Sequence, residues 1–299
     1  MPTGKIEKVC GEEAAHDGEI TCVFFESNNG LLFSGGEDGK IKIFDKDLKL
    51  KKLLNHHDSY ICTLVVSPKG KLYSVSYDGC FKIMENPHKS NYSKDFLHAT
   101  FHVSCMYLTG ERLAVGDDSG VIKIFNKDQL QYQLRPVTNV LSCAIENEMV
   151  YAVRDEIVVT QIVPGKPVKI NELCVKEGTK PLCLAGPKLA DKNCTSFLIY
   201  CTKDGLGLVC VNNHSEFDEV WKLENVHTDE ICAMFPTEKY LFTGAKDGFI
   251  KMWGTLTTKA TLLAEINVGA GVNFLCNGPG INVLYAGCAD GYVRRVAFA

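Results

Sequence analysis

The sequence predicts an all-β protein, a seven-bladed β-propeller of four-stranded antiparallel blades. Three observations carry this reading. A β-rich run, a tight turn ending in glycine and a second β-rich run recur along the whole chain. The turn glycines Gly39, Gly79, Gly120, Gly205, Gly248 and Gly291 are spaced by 40, 41, 85, 43 and 43 residues, so the long interval holds two units and seven units fill the 299 residues. No segment keeps a 3.6-residue apolar period, so no substantial helix is expected.

The units run in order as 31–45, 71–85, 112–126, a degenerate 149–163, 198–212, 240–254 and 284–298. Residues such as Ile41, Ile43 and Phe44, or Ile250, Met252 and Trp253, have the β-branched and aromatic character of strands. The Asp-Gly pair favours a hairpin turn because glycine accepts positive φ without steric cost. An apolar strand precedes each hairpin, as in 20–25 and 231–235, and a more polar one follows it, as in 48–54. Four short strands per repeat is the signature of a propeller blade. The chain reads as one domain over residues 1–299.

Composition bounds the function. The chain is 45% hydrophobic and 23% charged, with a net charge of −4, so nothing global points to nucleic acid or to an anionic membrane. The N-terminal stretch lacks the apolar core of a signal peptide, and no apolar run is long enough to span a bilayer. The expected location is therefore the cytoplasm, with the nucleus as an alternative, and the expected state is a monomer. Fourteen cysteines is a high count, but no CxxC occurs, which argues against the usual structural zinc sites. Cys22, Cys62, Cys105, Cys143, Cys183, Cys232 and Cys276 fall one per unit in the first strand, where packing as small apolar side chains explains them. The lysines Lys40, Lys42, Lys46, Lys49, Lys51 and Lys52 read as a solvated outer face protecting a blade edge.

These residues resemble the WD-repeat family. In that family a His before the first strand, a Ser or Thr on the second, an Asp at the turn and a Trp on the third form a buried hydrogen-bonded set. The sixth unit is similar to a full copy, with His227, Thr243, Asp247 and Trp253. The first offers His16, Ser34 and Asp38 with Phe44 for Trp, and the second His57, Ser74 and Asp78 with Met84 for Trp. The third keeps His98, with Ser119 at the Asp position; the fourth keeps Asp155, the fifth Asp204-Gly205 with an insertion near 186–194, and the seventh Asp290-Gly291. Apolar packing is expected wherever the set is incomplete. The resemblance also implies that residues 5–11 supply the fourth strand of the last blade and close the ring, which removes two unpaired sheet edges.

No catalytic constellation is found, and no cofactor or metal is expected. There is no GxxxxGK[ST], HExxH or GxSxG, and the GLG at 205–207 lacks the third glycine of a dinucleotide loop. His56-His57-Asp58 looks like an acid/base cluster, but His57 occupies the repeat's structural position. The expected function is a non-catalytic protein–protein interaction scaffold in a multiprotein assembly. The alternative is an RNA- or nucleic-acid-associated propeller, and an enzyme using the central channel is a third reading. The resemblance places partners on the face formed by the loops before the first strands and the turns between second and third strands. Asp17, Glu19, Glu37, Asp58, Tyr60, Tyr77, Glu230 and Lys246 fall there, an acidic and aromatic set suited to a protein or peptide with a basic segment.

Overall fold

A computed structural model describes residues 4–98, 102–134, 139–165, 168–189, 194–280 and 282–298. They form seven four-stranded sheets. In six of them four consecutive strands lie side by side, and in the seventh the N-terminal strand Lys5–Val9 lies beside the last strand, Val293–Ala297. The fold class read from the repeats is therefore present blade by blade. Among the described residues the only helical segment is a single 3-10 turn, Glu12–Ala14, and no helix is long and apolar enough to cross a membrane. The chain divides into two compact units. One holds Met1–Val103, Gly244–Lys251 and Ala264–Ala299, and the other holds Ser104–Thr243 and Met252–Leu263.

The first blade shows how sequence makes a blade. Its strands are Ile20–Glu26, Leu31–Gly36, Ile41–Asp45 and Leu50–Leu54, each antiparallel to the next. Alternate side chains leave opposite faces of a strand. Phe33, Ile41, Ile43 and Leu54 therefore pack on Ile61, Leu64 and Met84 of the second blade, while Leu32 and Phe44 pack with Tyr285 and Val293 of the seventh. A blade with a neighbour on each face needs apolar residues on both. This is why second and third strands are buried almost throughout while the outer Leu50–Leu54 strand is mostly exposed. The same logic holds in the other unit, where Ile122, Ile124 and Leu134 of the third blade meet Ile145, Val150 and Ile162 of the fourth.

The first strands are also stitched together by polar bonds. Thr21 Oγ1 donates to the Ile61 carbonyl at 2.5 Å and Asn273 Nδ2 to the Ile20 carbonyl at 3.1 Å. In the other unit Ser104 Oγ donates to the Val140 carbonyl. All three donors hold the second place of a first strand, so one repeat position carries one repeated bond.

The seventh blade closes as the resemblance implies. Lys5 pairs with Ala297 and Val9 with Arg294, the Cys10 N–H donates to the Val293 carbonyl at 3.0 Å, and Glu7 pairs with Arg295 at 2.9 Å. The insertion near 186–194 lengthens a hairpin between strands Thr179–Leu189 and Cys194–Cys201; residues 190–193 lie outside the described set.

Two sequence expectations need correction. The seven cysteines fall one to each first strand, as expected, but not all of them are packed in the core. Cys22 and Cys105 are the third residue of their strands, Cys62, Cys143 and Cys232 the second, and Cys276 the fifth. Cys22, Cys143, Cys183 and Cys276 are buried, and Cys62, Cys105 and Cys232 only partly so. The lysine stretch is not uniformly solvated either. Lys42 is 5% exposed, with its Nζ held by the carbonyls of Ala14 and Ala15, and Lys52 Nζ donates to the carbonyls of Pro87 and Ser90.

Candidate interaction face

The loops of the first and second blades are built on a buried relay. His16 Nδ1 lies 2.9 Å from Asp38 and its Nε2 2.7 Å from Ser34 Oγ. His57 repeats this with Asp78 at 2.9 Å and Ser74 at 2.9 Å. The Nδ1–H donates to the carboxylate, and Nε2 shares a hydrogen bond with the serine hydroxyl, which donates to it when the ring is neutral. Burial lowers the His57 pKa below its ordinary value, outweighing the opposite pull of Asp78. Burial alone would raise Asp38, but the bond and charge of His16 and the N–H groups of Lys40 and Asp17 bring it down to about 2. The arrangement has the connectivity of a Ser-His-Asp triad. Ser34 is 0% exposed and Ser74 4%, so neither hydroxyl presents a face to a substrate.

The aspartate is what joins the loops. Asp38 accepts the N–H of Asp17, before the first strand, and that of Lys40, in the turn between second and third. Asp78 does the same for Asp58 and Cys80. Two glycines are required by this construction. Gly39 has φ +71°, and a Cβ on Gly36 would lie 2.5 Å from His16 Nδ1.

In the sixth blade the Trp253 indole N–H donates to Thr243 Oγ1 at 2.9 Å, which leaves the hydroxyl proton for His227 Nε2 at 2.8 Å. Asp247 accepts the Phe249 N–H at 2.9 Å. Phe44 and Met84 replace Trp by apolar packing, as expected, and are 0% and 2% exposed. The expectation of apolar replacement fails in three other blades, where a different polar group steps in. In the third, Asp117 holds the place of Gly36 and accepts from Ser119 Oγ at 2.6 Å and from the Val121 N–H at 2.9 Å. The His98 side chain lies outside the described set. In the fifth, Thr202 donates to Asp204 at 2.5 Å. In the seventh, Arg294 makes two bonds to Asp290, at 2.8 and 2.5 Å. The turn carboxylates thus take their donors from whichever neighbour supplies them, and only Asp117 of the three is buried.

Above these sets sit the exposed residues. A second backbone bond recurs here: the Glu37 N–H donates to the Glu19 carbonyl at 3.0 Å, Tyr77 to Tyr60 at 3.1 Å and Ala289 to Gly271 at 2.9 Å. Equivalent positions thus carry an acidic pair in the first blade, an aromatic pair in the second and a small pair in the seventh. Asp17, Glu19, Glu37, Asp58, Tyr60 and Tyr77 are all exposed and lie on loops at the same end of adjoining sheets. Asp17 pairs with Lys40 at 3.0 Å. Among the described residues Glu19, Glu37 and Asp58 have no cation partner; Glu19 receives Asn273 Nδ2, at 2.8 Å, and Glu37 the Glu19 N–H, at 3.2 Å. Lys246 is exposed, with its backbone against Gly271 of the same unit. Glu230 is half-buried in the other unit, its side chain lying over Gly205.

His102 is a residue the repeat pattern did not find. Its ring stacks on Tyr77 with centroids 4.2 Å apart and planes 8° apart, and Tyr77 stacks on Tyr60 at 4.8 Å and 18°. It lies between repeats, where periodicity carries no signal. Among the described residues no group of His, Cys, Asp and Glu is placed to hold a metal ion.

The comparisons agree with this geometry. Residues 8–45, 48–84 and 219–254 match the family model "WD domain, G-beta repeat". These are the first, second and sixth blades, the three whose His, Ser or Thr, and Asp are all present. No curated protein matches the sequence. Among solved structures, the one titled "Structure of U3-55K" is similar with a TM-score of 0.81 and 14% identity, covering 99% of this chain and 100% of the other. "Crystal structure of RRP9 WD40 repeats" is similar with a TM-score of 0.82 and 14% identity, covering 100% and 99%.

Proposed function

We propose that this chain, a WD-repeat propeller, is a non-catalytic scaffold that holds a partner protein on the loop end of its first and second blades. The observation that carries the reading is the contrast on that face. The backbone of both loops is fixed by buried relays, while Glu19, Glu37 and Asp58 stand exposed without a cation beside an exposed aromatic pair. Rigid loops carrying uncompensated charge favour recognition, because little entropy is lost when a partner docks. WD40 propellers generally bind other proteins. The carboxylates favour a partner with a basic segment and disfavour a phosphate backbone, which sets the nucleic-acid alternative second.

Affinity capture from cells with mass spectrometry, with and without nuclease, tests this. Partners that survive nuclease and cross-link to residues 17–19, 37, 58–60 or 77 support it. Partners lost with nuclease, or bound with a steep salt dependence, contradict it.

A further inference from the structure

We propose that the three-ring stack Tyr60–Tyr77–His102 is a seat for an arginine side chain of the partner, with Glu37 as its counter-charge. The inference rests on the reading of this face as the partner surface and names what it reads.

Exposed aromatic rings are costly to leave in water, and here three are aligned nearly parallel. Tyr60 keeps 37% of its surface and Tyr77 49%, and His102 is exposed as well. Stacking in series covers both faces of Tyr77 but only one face of Tyr60. The stack runs from the start of the third blade toward the turn of the first. That turn is close: a Cβ on Gly39 would lie 2.9 Å from the Ser59 carbonyl, so the turn that carries Glu37 abuts the residue before Tyr60. The stack therefore ends next to the turn that carries Glu37, an exposed carboxylate without a cation partner among the described residues.

A guanidinium matches both features at once. It is flat, so it lies on a ring face, and its forked N–H groups meet a carboxylate in the same plane. A lysine ammonium satisfies the charge but not the plane. A nucleobase satisfies the ring but brings a phosphate toward Glu19, Glu37 and Asp58.

The test uses the full chain with ring-labelled tyrosine and histidine, titrated by NMR. The probes are acetyl-Gly-Arg-Gly amide, its lysine and citrulline counterparts, and a ten-nucleotide oligouridylate. The arginine peptide should shift the Tyr60 and His102 signals saturably. The lysine peptide should bind roughly fivefold more weakly, because an ammonium cannot lie flat on the ring while meeting the carboxylate with a fork of N–H groups. The uncharged citrulline peptide should give no saturable shift. Tyr60→Leu should abolish the response, and Tyr60→Phe, which keeps the ring, should retain it; both melting temperatures are measured so that misfolding is recognised. An equal response to citrulline, no saturable response to arginine, or saturation by oligouridylate alone overturns the assignment. A partner that depends on Glu19 and Glu37 but ignores Tyr60→Leu refutes the arginine seat and leaves the scaffold reading standing. A partner bound elsewhere refutes the scaffold reading itself.

Discussion

Tyr77 and Tyr60 are joined twice: the Tyr77 N–H donates to the Tyr60 carbonyl at 3.1 Å, and their rings stack at 4.8 Å. The first bond is generic, since Glu37 and Glu19 make the same one. The second is particular to the second blade. Backbone and buried relay hold the loops, so the side chains at paired positions are free to vary without cost to the fold.

The relay makes stability depend on pH. The folded His57 pKa is lowered from 6.5, so on acidification the unfolded chain takes up this proton first. The His57 contribution is therefore complete above pH 6.5 and is lost as the pH falls below it. His56, also lowered by burial, acts in the same direction. Asp38 works lower: its contribution is present above 3.8 and is lost as the pH falls toward about 2. His57→Asn should be less stable at neutral pH, with a melting temperature that falls less than the parent's between about pH 7.5 and about pH 5. Equal slopes would show that His57 is not buried neutral.

The sixth blade should be a stability anchor. Trp253→Ala empties a large buried site and removes the donor to Thr243, and should cost roughly 3–5 kcal/mol. Asp247→Ala deprives the Phe249 N–H of its acceptor and should cost about 1–3 kcal/mol. Chemical denaturation measures both, and parental midpoints would contradict the assignment.

Closure depends on a short strand. Deleting residues 5–10 removes the Lys5–Val9 pairing and the Glu7–Arg295 ion pair, and exposes the edge of the last strand. The truncated chain should aggregate or melt well below the parent. A monomer with parental melting temperature, by light scattering and calorimetry, would show that the strand is dispensable.

Blade number and two complete relays were legible because each repeats at fixed spacing, and closure was legible from the family resemblance. What escaped the sequence lies where repetition ends. Arg294 answers Asp290 from a place that Lys42 fills in the first blade, and there Lys42 caps the Ala14 and Ala15 carbonyls instead. Asp117 answers Ser119 from a position that is glycine in the first blade. Such substitutions conserve satisfied hydrogen bonds rather than residue types, so a motif search passes over them. The acidic and aromatic face was legible as a set of loop residues, but His102 lies between repeats and joins Tyr77 only in three dimensions.

The proposed partner site rests on the exposed carboxylates of the first blade. Its most direct measurement is the affinity of a captured partner for Glu19→Lys combined with Glu37→Lys. Both side chains are exposed and neither belongs to a buried relay. The expected result is a loss of at least about tenfold in affinity, on the order of 1.4 kcal/mol, with the melting temperature unchanged. Parental affinity in a folded double variant would contradict it.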